Sequence, residues 1–240
     1  MPIKRTIVLA VALVLVVAAC GTADSDVGAP STTVTTVPLS AVPADYIGYL
    51  HQPTACGADQ PDPATDMKFD APGDAGLVGR VIITLNTSCG PIEIELDPDA
   101  APETANSFVF LAESGFFDGT VSHRVIPGFM MQAGDPTATG RGGPGYTLPD
   151  ELPAEGATYA RGVVAMANAG PGTTGSQFFI MLGDADWLGA QYTIVGYVTS
   201  GLDTLDRIAE VQLGRGPNSA DPKPSTPLES IYIESVSVQR

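Results

Sequence analysis

The sequence is poor in basic residues. Its 240 residues include 11 Lys and Arg against 27 Asp and Glu, a formal net charge of −16 at pH 7. Lys4 and Arg5 lie in the first 20 residues, which hold no acid, so the remainder carries nine basic residues and a net charge of −18. Nucleic-acid binding needs clustered Lys and Arg that neutralise phosphates. We therefore expect no nucleic-acid partner, and an anionic membrane surface would repel the chain unless another group held it there.

Histidine and cysteine are also scarce, at two and three residues. With no CxxC pattern, the sequence predicts neither a metal site nor a resident cofactor. It lacks the G-x-S-x-G elbow of a serine hydrolase, and the glycine-rich run at 140–145 lacks the Lys–Ser/Thr of a phosphate-binding loop. What remains is a reaction that needs a pocket and hydrogen-bond donors, without a nucleophile or a metal.

The first 20 residues have the character of an export signal. A basic start precedes an apolar run from Ile7 to Val17, and Ala18 and Ala19 precede Cys20. The run is short for a membrane span and has the flanks of a signal peptide. The sequence VAAC resembles the lipobox of bacterial lipoproteins, in which the Cys is lipidated and becomes the new N-terminus. We predict that a lipid such as palmitate on Cys20 anchors the chain at the extracytoplasmic face of the cell membrane. An ordinary cleaved signal peptide and a retained anchor are the alternatives.

Residues 21–76 separate this leader from an ordered domain. Residues 21–43 are rich in Thr, Ser, Ala, Pro and Asp and show no apolar period, which predicts a flexible tether. Residues 44–76 are ambiguous, because six large apolar side chains there could pack on a domain edge while Pro and Asp interrupt them throughout. We therefore divide the chain into a leader (1–20), a spacer with a pre-domain segment (21–76) and one domain (77–240).

The domain is predicted to be mainly β. Strand-like stretches lie at 80–85, 92–96, 125–126, 129–132, 162–166, 177–182, 193–198 and 231–238, and helices at 102–114 and 202–211. Many short strands, two separated helices and Gly-rich connections favour a closed barrel with helices over its open ends.

Cys56 and Cys89 remain once the leader is removed. Since an exported protein meets an oxidising compartment and two is an even number, we predict a disulfide that ties the pre-domain segment to the first hairpin. Two free thiols, or a purely local role for each cysteine, remain as alternatives.

Two segments carry the candidate chemistry, HRVIPGFMMQAGD from His123 and ANAGPGTTGSQFF from Ala167. Each combines large apolar side chains with a few polar groups and several glycines. If they lie on neighbouring strands, one sheet face holds an apolar dimple edged by Arg124, Gln132 and Asn168. Small-ligand sites are commonly built in this way.

At these segments the sequence resembles the cyclophilin family of peptidyl-prolyl cis–trans isomerases. The resemblance covers about Val78 to Val238 and includes GRGGPGY from Gly140, AMANAGPGTTGSQFFI from Ala165, WLGAQYTIVGYV from Trp187 and the helix after Gly201. It implies an eight-stranded antiparallel barrel capped by two helices. It also implies an enzyme that accelerates rotation about X-Pro bonds in other polypeptides, and we expect a monomer.

The resemblance also assigns roles to single residues. Arg124 is implied as the catalytic group. Substrate contacts are implied for His123, Phe129, Met130, Gln132, Ala167, Asn168, Phe179, Trp187, Leu188 and Tyr192. Within this set, Phe129, Met130, Phe179 and Leu188 would line the proline pocket, and Trp187 aligns with the Trp that contacts cyclosporin-type inhibitors in the family.

Three positions depart from the commonest family pattern. Ser122 replaces an aromatic residue, Tyr192 replaces a His common in eukaryotic members, and Val195 replaces a Phe, which would enlarge or loosen one pocket wall. Two further functions remain open: a proline-peptide binding or chaperone module with incidental isomerase activity, and a carbohydrate-binding barrel. A sugar site would need exposed aromatic platforms, and the one Trp of the chain already belongs to the pocket region.

Overall fold

A computed structural model describes residues 42–217 and 219–240. The predicted leader, the lipidation site Cys20 and the tether up to residue 41 lie outside the described residues. The helices are α1 (Tyr46–Leu50), a 3-10 helix (Ala55–Gly57), α2 (Pro102–Glu113) and α3 (Leu202–Ala209). The strands are β1 (Val81–Thr87), β2 (Gly90–Leu96), β3 (Thr120–Val121), β4 (Arg124–Ile126), β5 (Met130–Ala133), β6 (Val163–Met166), β7 (Phe178–Met181), β8 (Ile194–Ser200), β9 (Leu213–Gly214), β10 (Thr226–Pro227) and β11 (Tyr232–Gln239).

Nine of these strands form one curled antiparallel sheet in the order β3-β11-β1-β2-β8-β6-β7-β5-β4, and β9 pairs with β10 separately. The mainly β antiparallel fold is thus confirmed, whereas the closed eight-stranded barrel is not. The two edge strands, β3 and β4, follow each other in the chain and are separated by Ser122 and His123. Ser122 donates its N–H to Ile231 O (2.9 Å) and its hydroxyl to Gln132 O (3.0 Å). The ends of the sheet therefore meet through one residue rather than through a strand ladder.

Local sequence explains the two elements, β2 and α2, whose bounds agree best with the predicted ones. In β2, Ile92, Ile94 and Leu96 are buried while the acids between them face outward, as the period of two requires. Helix α2 begins with Pro102 in its first turn, where a missing N–H costs nothing. Its N-cap residue, Ala101, has no capping side chain, and the Glu151 carboxylate instead accepts the N–H groups of Glu103 (3.0 Å) and Thr104 (2.8 Å).

The sheet separates two apolar clusters, and strand alternation decides which side chain joins which cluster. On β7, Phe178 belongs to the main core with the aromatic side chains of α2, and Phe179 belongs to a second cluster on the other face. On β5, Met131 and Met130 divide in the same way. The second cluster is the one that carries the predicted pocket residues.

Residues 42–76, which we call the strap, pack on the domain. Tyr46 and Tyr49 of α1 are buried, and the Tyr46 hydroxyl donates to Gly119 O (2.8 Å). The Phe69 ring lies 5.1 Å, between centroids, from that of Phe110 on α2. The strap is therefore a packed layer of the domain, which settles a question that its composition left open.

The predicted disulfide is present and fixes the strap to the first hairpin. Cys56 and Cys89 are bonded, with their Cα atoms 5.1 Å apart. Just before Cys56 the strap also bonds to Ser230, two residues before β11, because Ala55 N–H donates to Ser230 O (3.0 Å) and Ser230 N–H donates to Pro53 O (2.7 Å). Within the described residues, no helix has the length and apolarity that crossing a membrane requires.

Candidate active site

Arg124 projects from β4 and is held by two partners. Its Nε and Nη2 donate to the two carboxylate oxygens of Asp221 at 2.8 and 2.6 Å, and its Nη1 donates to Gln132 Oε1 at 3.2 Å. Gln132 stands directly opposite Arg124 in the β4–β5 register. A guanidinium bonded at three nitrogens has a fixed plane, and the described residues leave an N–H on Nη1 and another on Nη2 for a ligand.

Asp221 is a site residue that the sequence analysis missed. Its side chain is 14% exposed, against 36% for Arg124. The hydrogen bond from Arg124 lowers the pKa of Asp221 below its ordinary value, outweighing the opposing effect of desolvation, and Ser225 and Ser219 act in the same direction. No local pattern marks this residue, because it is one acid in a very acidic chain and lies 97 positions from its partner.

The loop that carries Asp221 is itself braced. Arg215 donates to Asp221 O (2.7 Å) and to Pro222 O (2.8 Å), and Val125 N–H, adjacent to Arg124, donates to Ser225 O (2.8 Å). The Arg215 side chain therefore braces the loop at Asp221, and the Val125–Ser225 backbone bond attaches the loop to β4.

Amide side chains extend the polar edge away from Arg124. Gln132 Nε2 donates to Gln177 Oε1 (2.9 Å), and Gln177 Nε2 donates to Gly142 O (2.9 Å). Asn168 Nδ2 donates to Gln191 O (3.0 Å), which ties residue 168 to the loop before Tyr192. Gln177 is a second residue missed by the sequence analysis, although it lies within one of the two marked segments.

The predicted pocket residues come together on one side of this polar edge. Met130 and Phe179 are buried in the second cluster, and the partly buried side chains packed against it include Phe129, Ala167, Leu188 and Tyr192. The Phe179 and Tyr192 rings meet edge to face with centroids 5.4 Å apart. Trp187 is 71% exposed and lies 4.8 Å from the Phe129 ring. We call the side chains of Phe129, Met130, Phe179 and Leu188, with the Ala167, Trp187 and Tyr192 side chains around them, the apolar slot. Gln132, two residues after Met130 on β5, lies on the same sheet face.

His123 is not among the side chains of the apolar slot. Its carbonyl accepts the Tyr49 hydroxyl (3.1 Å), and its Nδ1 is buried with no hydrogen-bond partner among the described residues. Burial lowers the pKa of His123 to about 4, so the imidazole is neutral at physiological pH. It lines a cavity of about 250 Å³ between the strap, Arg124 and Asp221.

Two of the three departures from the family pattern have clear structural consequences. Val195 is fully buried in the main core, so the expectation that it alters a pocket wall is wrong, because the alternation of β8 turns it to the opposite face from Ile194. Ser122 provides the hydroxyl that joins the ends of the sheet.

The arrangement presents an oriented cation beside an apolar slot, with amide groups along the edge between them. Such a site can bind a peptide with one apolar ring and favour a state in which charge develops next to the guanidinium. No group of three or more His, Cys, Asp or Glu side chains among the described residues is placed to hold a metal ion.

Comparison with known proteins identifies the same family that the sequence resembles. The sequence model of the family described as cyclophilin type peptidyl-prolyl cis-trans isomerase/CLD matches residues 82–238. Peptidyl-prolyl cis-trans isomerase B of Streptomyces anulatus is 43% identical over 180 residues, which is 68% of this chain and 99% of the relative. Peptidyl-prolyl cis-trans isomerase ppi1 of Schizosaccharomyces pombe is 43% identical over 152 residues, 62% of this chain and 95% of the relative.

Solved structures agree with the sequence relatives. A cyclophilin type peptidyl-prolyl cis-trans isomerase of Cryptosporidium parvum superposes with a TM-score of 0.60 at 29% identity, covering 68% of this chain and 99% of its own. A structure of the same protein in the presence of the dipeptide ala-pro gives a TM-score of 0.60 at 31% identity, with 66% and 99% coverage.

Proposed function

We propose a catalytic mechanism and a place of action for this chain, which belongs to the cyclophilin-type peptidyl-prolyl cis–trans isomerases. Its reaction is rotation about the bond between a residue and a following proline. Rotation about a peptide bond has a barrier of ~18–20 kcal/mol, because the nitrogen lone pair is shared with the carbonyl. At X-Pro the two isomers differ by only about 1 kcal/mol, so both are populated and exchange slowly without a catalyst.

Arg124 is the proposed catalytic residue. In the twisted transition state the proline nitrogen regains its lone pair and becomes a hydrogen-bond acceptor, which it is not in the planar ground state. An N–H of the Arg124 guanidinium aimed at that nitrogen binds the twisted bond better than the planar one. Catalysis is then differential binding and requires no transfer of a proton. Arginine suits this role because it stays protonated and its donors form a rigid fork.

The remaining residues of the site hold the substrate. The apolar slot takes the pyrrolidine ring against Phe129, Met130, Phe179 and Leu188. The amide groups of Gln132 and residue 168 face the adjoining peptide backbone. His123 has no acid or base role in this mechanism, because rotation about the bond transfers no proton.

The observation that carries this proposal is the fixed guanidinium of Arg124, bonded to Gln132 on the sheet face that carries the apolar slot. The test is an assay of cis–trans exchange in a proline peptide by NMR, with the full-length chain in mild detergent. We expect exchange well above the uncatalysed rate. A pure, folded chain that leaves the rate at background would contradict the proposal.

We also propose that the chain acts at the outer face of the cell membrane, held by a lipid on Cys20. Support comes from the basic and apolar leader, from the VAAC sequence and from the Cys56–Cys89 disulfide, since disulfides persist in oxidising compartments. Metabolic labelling with a palmitate analogue should mark the wild type and not Cys20→Ala. Equal labelling of both, or of neither, would contradict the anchor.

A further inference from the structure

A second cavity adjoins the proposed peptide site and is not part of the apolar slot. Its volume is about 790 Å³, and Gln132, Ala167 and Asn168 form the wall that it shares with the peptide site. A peptide with its proline in the apolar slot and its backbone over residues 167 and 168 would direct a neighbouring side chain into this space. We call it the flanking cavity.

The strap contributes one wall of the flanking cavity. Lys68 lines it, although residue 68 precedes the region matched by the family. Its position is fixed by the backbone, since Phe69 N–H donates to Pro144 O (2.7 Å) and Lys68 Nζ donates to Gly143 O (2.7 Å). This close approach depends on Gly145 at φ +102°, where a Cβ would lie 3.0 Å from Phe69 O.

The lining of the flanking cavity is basic in a chain that is otherwise strongly acidic. Lys68 and Arg141 both line it, and no Asp or Glu is among its described lining residues. Three acids lie nearby, and each is engaged by other groups. Asp66 pairs with Lys68 at the surface, and Asp135 is buried beneath the loop, where it accepts the N–H groups of Thr137 (2.8 Å), Thr139 (3.1 Å) and Gly142 (3.0 Å). Asp150 accepts the N–H of Gly172 (2.8 Å) and the hydroxyl of Thr174 (3.1 Å). None of the three carboxylates lines the cavity, whereas both cations do.

We infer that the flanking cavity selects substrate polypeptides with an acidic side chain close to the proline, and that Lys68 and Arg141 determine this specificity. The inference rests on the proposed function, because that function places the peptide backbone over residues 167 and 168. Among the polar wall groups, Thr173 donates its hydroxyl to Gly170 O (2.6 Å) and the Tyr146 hydroxyl bonds to the Ser107 hydroxyl (2.7 Å), so Lys68 and Arg141 are the wall groups on which recognition of a carboxylate depends. A lysine at the same substrate position would be repelled by both cations.

The size of the preference follows from the exposure of the two cations. An exposed ion pair changes an equilibrium by at most about fivefold, and screening by salt reduces it further. With two cations, and with Asp66 offsetting part of the Lys68 charge, we expect kcat/KM at low salt to favour Glu over Lys by about tenfold. The preference should approach unity at about 0.5 M salt.

The test uses blocked pentapeptides in which Glu, Gln or Lys occupies each position flanking the X-Pro pair in turn. NMR exchange gives kcat/KM, and chemical-shift titration gives the peptide Kd. For the preferred position, we expect the Glu-to-Lys ratio to fall to about threefold in Lys68→Gln and to about one in Lys68→Gln/Arg141→Gln, since each exposed pair contributes a few-fold. Arg80→Gln is the matched control, because Arg80 is an exposed cation paired with Glu95 away from the site.

The outcomes separate the two proposals. Catalysis of all peptides at equal rates by the wild type would overturn the acidic preference and leave the isomerase mechanism intact. A preference that survives unchanged in the double variant would overturn the roles of Lys68 and Arg141. If no peptide were turned over, the catalytic mechanism would fail, and the titrated Kd values would still decide the charge preference.

Discussion

Replacing Asp221 with Asn tests whether the orientation of Arg124 matters for catalysis. The variant keeps the size of the side chain but removes its charge and replaces one acceptor oxygen with an NH₂ group. Two Arg124 donors, Nε and Nη2, lie 2.8 and 2.6 Å from those oxygens. The amide can accept only one of them, and its NH₂ group repels the other.

The expected magnitude comes from the burial of the pair. Charge-assisted hydrogen bonds are worth about 1.5–3 kcal/mol, but Arg124 is 36% exposed and water screens part of that value. We therefore expect about 1.4 kcal/mol to be lost from the oriented state, which lowers kcat about tenfold. KM should change little, because the substitution leaves untouched the apolar slot that we propose holds the ring.

Asp206→Asn is the matched control for this prediction. Asp206 pairs with Arg161 at 2.7 Å outside the proposed site, and Arg161 is 35% exposed, close to the 36% of Arg124, although Asp206 is more exposed than Asp221. NMR exchange at saturating and subsaturating peptide separates kcat from KM, and thermal unfolding verifies that both variants fold. An Asp221→Asn enzyme with wild-type kcat would refute the positioning role. A faster enzyme would show that Asp221 competes with substrate for Arg124.

Three further predictions concern stability and binding. Cys89→Ser removes the bridge to Cys56, and we expect denaturant unfolding to show a loss of about 2–4 kcal/mol, with no loss if the bridge is absent from the purified protein. Because burial lowers the pKa of His123 to about 4, the unfolded state binds the extra proton first, so the free energy of unfolding should fall as pH falls from about 6.5 towards 4. His123→Gln should flatten that slope in denaturant titrations across this range, and an unchanged slope would assign it to other groups. Phe179→Ala should weaken proline-peptide binding and reduce stability by about 3–5 kcal/mol in denaturant unfolding, and wild-type Kd in a folded variant would remove Phe179 from the slot.

Short-range patterns predicted the parts of the fold whose causes are local. The alternation in β2 and the Pro102 start of α2 both follow from residues within a few positions of each other. Phe178 and Phe179 show how alternation also divides neighbouring side chains between two clusters. Residue pattern alone placed Arg124 and Gln132 at the edge of one apolar dimple, and the resemblance added the catalytic and binding roles predicted for them.

The features that the sequence analysis missed depend on long-range contacts. Tyr46 and Tyr49 are separated from the domain by Pro- and Asp-rich sequence, so their burial follows from partners such as Gly119 and Ser230 that composition does not reveal. Asp221 is identified only by its distance to Arg124. The two-residue strands β3 and β9 are too short to show any period.

The measurement that tests the central claim most directly is kcat/KM of Arg124→Ala for a proline peptide. The account predicts a loss of at least about tenfold, from a transition-state contact of ~1.4 kcal/mol or more, in a variant that still melts cooperatively and still binds the peptide. A wild-type value of kcat/KM in Arg124→Ala would contradict the catalytic role of Arg124.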